Sequence, residues 1–233
     1  MQTKNVQIDA GNGEALDAYV SLPNQPNGRA IVVLQEIFGV TPHIREVADR
    51  YAREGYLAIA PDLFWRVEPG LSLSHSKEDM QRAFSILGQY SEELGVQDIA
   101  RAITYAKAQP GIGDVAIVGM CLGGKLAYLA AITLPVAASL AFYGVGIEKN
   151  LDEVLNPKAP LLMFFGGKDK YVSPPVRELI EKAVAGNQDI AIRVYDEADH
   201  GFYTRGDPEV IRSAHAEALA FLDKNMASSG AGA

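Results

Sequence analysis

Cys121 stands in the run Gly119-Met120-Cys121-Leu122-Gly123, a nucleophilic side chain with a glycine two positions to either side. A strained turn that presents a reactive group needs glycines at those places, because side chains there would collide with neighbouring backbone. The apolar run Val115 to Val118 precedes it and a helical pattern begins at Leu122, so the five residues form a strand-turn-helix junction. This is the setting of a nucleophile elbow, with cysteine in place of serine. A thiol at a helix N-terminus is favoured as thiolate. The same turn aims the Leu122 N–H at the space where a tetrahedral oxyanion would form. The plainer reading of a lone cysteine is a buried structural one, and it leaves the paired glycines unexplained.

A thiol nucleophile calls for a base and a group to orient it. Of the four histidines, His43 and His215 fall in helical patterns and His75 in a polar loop. His200, in Asp199-His200-Gly201-Phe202 after the last strand pattern, is the natural general base, the alternative being a surface loop histidine. Asp169, in Gly166-Gly167-Lys168-Asp169-Lys170, follows a strand and could accept a hydrogen bond from His200, fixing its tautomer. Its alternative is a turn aspartate bonded to local N–H groups. The chain order nucleophile, acid, base fits a sheet whose catalytic groups sit beyond the strand ends. Gln35-Glu36-Ile37-Phe38-Gly39 follows another strand, where Ile37 would supply a second oxyanion N–H. Glu36 is either a solvated loop residue or a carboxylate within reach of Cys121, able to alter its protonation.

The elements that must position these residues can be read from periodicity. Val6-Gln7-Ile8 and Leu16 to Val20 alternate around Gly11-Asn12-Gly13, an opening hairpin. Ala30 to Leu34, Leu57 to Ala60, Val115 to Val118, Ala138 to Phe142 and Leu161 to Phe165 are apolar without alternation, as strands covered on both faces are. A final strand spans Ile190 to Tyr195. Helical patterns cover His43 to Glu54, Lys77 to Gln89, Glu93 to Ala108, Leu122 to Leu134, Pro174 to Ala185 and Pro208 to Asn225. Such alternation predicts an α/β fold, a mostly parallel central sheet with helices on both faces. One domain is expected over residues 1–226, with 227–233 a disordered tail of small residues.

Composition narrows the partners. The 233 residues are 48% hydrophobic and 21% charged, with a formal net charge of -8. An acidic surface without a Lys/Arg cluster argues against nucleic acid. The one cysteine excludes an intrachain disulfide and a multi-cysteine metal site. No closely spaced His/Asp/Glu set points to a metal, and no cofactor is expected. The start of the chain lacks a secretory pattern and no apolar run is long enough for a bilayer. A cytoplasmic protein without membrane contact is the expectation, monomeric or weakly self-associating.

With these residues in place, the sequence resembles the dienelactone hydrolase family, a cysteine branch of the α/β-hydrolase fold. The likeness runs through Gln35 to Val40, Ala60-Pro61-Asp62-Leu63, Gly119 to Gly124, Phe142 to Gly146 and Asp199 to Phe202. The resemblance implies a small-molecule lactone or ester substrate and a triad of Cys121, His200 and Asp169. It also implies that Glu36 pairs with the resting thiol and takes its proton when substrate displaces it. Members acting on dienelactone hold a substrate carboxylate with two arginines, for which Arg82 and Arg205 are the nearest candidates. Both stand a residue or two from the family positions. One residue turns a helical side chain by about 100°, which bears on Arg82, whereas Arg205 sits in a loop, Tyr203-Thr204-Arg205-Gly206-Asp207, and can adapt more easily. Phe38 and Tyr143 are further substrate-binding candidates. With Trp65, Phe84, Leu87 and Phe202 they suggest either an apolar pocket or simply core. Another lactone or a small aryl or alkyl ester therefore stands beside dienelactone. Two other classes compete: a binding protein that keeps the fold without catalysis, and a redox sensor working through Cys121.

Overall fold

The computed structural model describes residues 1–153 and 157–227. Of the segment read as a tail, residues 228–233 lie outside the described residues. The chain clusters into two compact units, residues 1–115 with Ala227, and residues 116–226.

In the first unit, β1 (Gln2–Gly11) and β2 (Glu14–Leu22) form the hairpin, registered from Gln2 opposite Leu22 to Asp9 opposite Ala15. Both strands outrun their alternating centres, because backbone pairing continues where the side chains turn polar. Asn12, with φ 54°, makes the tip between two glycines, as left-handed hairpin turns require. β2 pairs antiparallel with β4 (Leu57–Pro61), and β4 pairs parallel with β3 (Ala30–Leu34). Every residue of β3 and β4 is buried. α1 (Pro42–Arg53) starts where Thr41 Oγ1 accepts the Ile44 N–H and Pro42 occupies the first turn. α2 (Lys77–Leu87) buries only Ala83 and Ile86, whereas α3 (Glu92–Lys107) buries a full face from Gly95 to Ala106.

The second unit is built from β5 (Val115–Met120) from residue 116 on, β6 (Ala138–Phe142), β7 (Leu161–Gly166) and β8 (Ile190–Tyr195), parallel neighbours in that order. α4 (Leu122–Thr133) is buried from Leu122 to Ile132, which accounts for its nearly unbroken apolar sequence. α5 (Pro174–Val184) and α7 (Pro208–Asn225) are amphipathic, the latter capped by Asp207 through the Glu209 N–H. Between β8 and α7 the structure corrects the sequence reading. Tyr203 to Arg205, expected in a loop, belong to a single helical turn, α6 (Phe202–Arg205), which starts after a left-handed Gly201. With antiparallel pairing confined to β1, β2 and β4, the strands make the mostly parallel α/β class expected.

Candidate active site

β5 ends at Met120 and α4 begins at Leu122, leaving Cys121 alone at the junction with φ 55° and ψ -113°. A non-glycine residue there costs about 1–3 kcal/mol and persists only where its surroundings enforce it. The enforcement is visible. The Cys121 N–H donates to the Phe142 carbonyl at 3.0 Å, and the Cys121 carbonyl accepts from the Lys125 N–H at 3.1 Å. A Cβ at Gly119 would run into the Gly123 carbonyl, and one at Gly124 into the Phe142 carbonyl and Gly144. The bareness of Gly124 lets α4 lie close to the end of β6. The Cys121 side chain makes no capping hydrogen bond to α4. The first-turn amides, Leu122 among them, are therefore not occupied by it.

Asp169 is buried in the loop after β7. Its Oδ1 accepts the N–H groups of Tyr171 at 2.8 Å and Val172 at 3.2 Å, and its Oδ2 lies 2.8 Å from His200 Nδ1. Burial pushes the carboxyl pKa up, but the hydrogen bond and charge of His200, then the two amides, outweigh it and hold the group below the usual carboxylate range. A carboxylate only accepts, so Nδ1 is the protonated nitrogen and Nε2 carries the basic lone pair. The His200 side chain is 13% exposed. Two tyrosine rings, those of Tyr143 and Tyr171, each lie 4.8 Å from the imidazole.

The Glu36–Gly39 turn closes on itself in the first unit, with the Gly39 N–H reaching the Glu36 carbonyl at 3.4 Å. Glu36 is 2% exposed, so it is not a solvated loop residue, and Ile37 and Phe38 are buried with it. The segment from Leu71 to His75 backs this turn. Leu71 O accepts the Val40 N–H at 3.2 Å, the Leu73 N–H donates to Phe38 O at 2.9 Å, and the His75 ring lies 4.2 Å from that of Phe38. Gly39 has φ 86°, and a Cβ there would strike the Leu71 carbonyl.

The remaining candidates divide. Arg82 lies on the exposed side of α2 and pairs with Glu68. Arg205 ends α6, its Nη1 donating to Thr204 Oγ1 at 3.0 Å while its guanidinium lies over Gly201. Arg205 and His200 line one cleft with Asp199, Phe202, Asp207 and Val210. Tyr143 is fully buried with φ 40°. Phe202 is buried 5.4 Å from its ring, whereas Phe84 is 50% exposed. Trp65 donates to Asp98 at 3.0 Å. Sequence reasoning passed over Tyr171, Thr204 and Asp98. Only Tyr171, two residues after Asp169, stood where a neighbour of the site could have been sought.

Among the described residues, no helix is long and apolar enough to cross a membrane and no group of three His, Cys, Asp or Glu could hold a metal ion.

The sequence matches the model of the dienelactone hydrolase family over residues 16–226. A carboxymethylenebutenolidase of Pseudomonas sp. strain P51 is 37% identical over 96% of each chain. A Klebsiella pneumoniae protein assigned as a dienelactone hydrolase has a TM-score of 0.80 at 28% identity, covering 96% of this chain and 99% of its own. A Pyrococcus furiosus esterase shares the fold, with a TM-score of 0.73 at 18% identity over 97% of this chain and 94% of its own. The chain belongs to the dienelactone hydrolase family and has the α/β-hydrolase fold. It is a hydrolase of lactone or carboxylic ester bonds.

Proposed function

We propose that this hydrolase opens a small lactone or ester through Cys121 as nucleophile and a thioester acyl-enzyme. The observation that carries the reading is the 2.8 Å Asp169–His200 contact, in the same unit as a cysteine held at φ 55° on a strand-turn-helix junction. The thiol gives up its proton and its sulfur bonds to the substrate carbonyl carbon. Charge gathers on the carbonyl oxygen, where the Leu122 N–H and, in this reading, the Ile37 N–H stabilise it. The ring C–O bond breaks and the leaving oxygen departs as alkoxide or enolate. Water, deprotonated by His200 Nε2, then attacks the thioester and releases a carboxylate and the thiol.

Glu36 enters this proposal as the first acceptor of the thiol proton. Its burial supports the role, since an ionised carboxylate away from water is stable only with partners. Guarding the thiol as a neutral group would limit its oxidation. The name of the Pseudomonas relative denotes a carboxylated butenolide, an unsaturated lactone. Arg205, beside His200 in one cleft, is the cation we assign to such a carboxylate. Arg82 is engaged by Glu68 and would have to leave it to take part.

Replacing Cys121 with alanine tests the core of this reading on aryl esters and simple lactones. Turnover is expected to fall to background with an unchanged circular dichroism spectrum, and the wild type to show an acyl adduct on Cys121 by mass spectrometry. Turnover in Cys121→Ala close to the wild-type rate would overturn it.

A further inference from the structure

We infer that Tyr143 and Thr204 form the positioning element of the general base, rather than Tyr143 contacting substrate. The inference rests on His200 being the base of the proposed reaction. An imidazole tied to Asp169 through Nδ1 alone can still swing about that bond, so its second nitrogen needs a further restraint.

The hydrogen-bond capacity of Thr204 shows where that restraint comes from. Its hydroxyl donates to the Gly201 carbonyl at 3.0 Å, on the residue that directly follows His200. With its one proton spent, Oγ1 accepts from Arg205 Nη1 at 3.0 Å and from the Tyr143 hydroxyl at 3.3 Å. The Tyr143 ring meanwhile packs 4.8 Å from the His200 ring and 5.4 Å from that of Phe202. Tyr143 thus meets the base through its ring and Thr204 through its hydroxyl, and Thr204 in turn holds the carbonyl of the residue after the base.

Tyr143 also adjoins the other half of the chemistry through the residue before it. Its N–H donates to the Phe164 carbonyl at 2.7 Å, and the carbonyl of the preceding Phe142 accepts the Cys121 N–H at 3.0 Å. One dipeptide at the end of β6 therefore touches the turn that bears the thiol and the loop that bears the base. An aromatic residue at φ 40° is a strained conformation that a fold retains only under strong local constraint. Its ring is fully buried and its hydroxyl faces Thr204, which suits a support and not a substrate contact.

The test uses Tyr143→Phe, Thr204→Val and Thr204→Ser with an aryl ester substrate. Tyr143→Phe and Thr204→Val should each lower kcat by roughly 10-fold or more with KM within about twofold, since small misplacements of a catalytic group act on the chemical step. Because both remove one shared contact, the double variant should lose no more than the worse single one. Thr204→Ser keeps the oxygen and should restore most of the rate. Wild-type kcat in Tyr143→Phe and Thr204→Val, or losses that multiply in the double variant, would overturn the inference. His200→Ala is measured alongside. If it keeps wild-type turnover, the base assignment itself fails; if it is inactive while the two positioning variants are unimpaired, only this inference fails.

Discussion

Asp98 and Asp169 are both buried carboxylates, one in each unit, and they are satisfied in opposite ways. Asp98 Oδ1 accepts from Arg66 Nη2 at 3.0 Å and Arg101 Nη1 at 2.9 Å, and its Oδ2 takes Trp65 Nε1 at 3.0 Å and the other Arg66 nitrogen. Arg66 also stacks 4.2 Å over the Trp65 ring. Guanidinium groups never release a proton in the working range, so this cluster has one charge state and one job, tying the segment around Trp65 to α3. Asp169 has backbone amides on one oxygen and an imidazole on the other. An imidazole can take up and release a proton, so in the proposed reaction the second cluster moves a proton where the first cannot. Burial alone does not separate a working carboxylate from a structural one. The partner does.

That contrast can be tested by exchanging what each aspartate loses. Asp169→Asn keeps the size and can still accept the amides of Tyr171 and Val172. It should cut kcat by roughly 10^3- to 10^4-fold with little change in Tm, because the orienting carboxylate is gone. Asp98→Ala should do the reverse, destabilising the fold by about 3 kcal/mol in a denaturant titration while the folded fraction keeps its kcat. The figure is at the low end for a broken buried pair, because Arg66 and Arg101 are about a third exposed and can turn to water. A large activity loss in Asp98→Ala, beyond the unfolded fraction, would erase the distinction. Trp65→Phe removes one neutral donor from Asp98 and should cost about 1 kcal/mol. The smallest effect is on acid stability. Asp169 is held below its unfolded pKa of about 3.9. Its contribution is therefore complete above that value and is lost as pH falls through the lower folded value. Tm measured from pH 7 to pH 2 should show no Asp169-dependent loss until below about pH 4.

The difference between the two aspartates was only half legible in the sequence. Asp169 could be found because a Gly-rich loop after a strand marks a place where polar side chains gather. Asp98 could not, since it sits on the core face of a helix and two of its partners are more than 30 residues away. The helices and the unalternating strands were read to within a few residues because periodicity carries them. α6 was missed because a four-residue helix has too few positions to show a period. It is set instead by the left-handed Gly201 and by Thr204, which bonds the Gly201 carbonyl within the turn and meets Tyr143 just after β6. Phe84 was grouped with pocket or core residues on hydrophobicity, yet it faces solvent on α2. Spacing could not reveal that Glu36 is buried, because the Leu71 to His75 segment that covers the turn is a long way along the chain.

The left-handed torsion at residue 121 belongs to the main chain and not to the sulfur. Its enforcing contacts, with the Phe142 and Lys125 backbone and across the bare Gly119 and Gly124, are made through the main chain. Any small residue placed there inherits the same presentation, so the scaffold is indifferent to whether it holds out a thiol or a hydroxyl. Exchange of a single atom could therefore alter reactivity without redrawing the framework. A new side chain at Gly119 would instead disturb the display while leaving every reactive group in the sequence untouched.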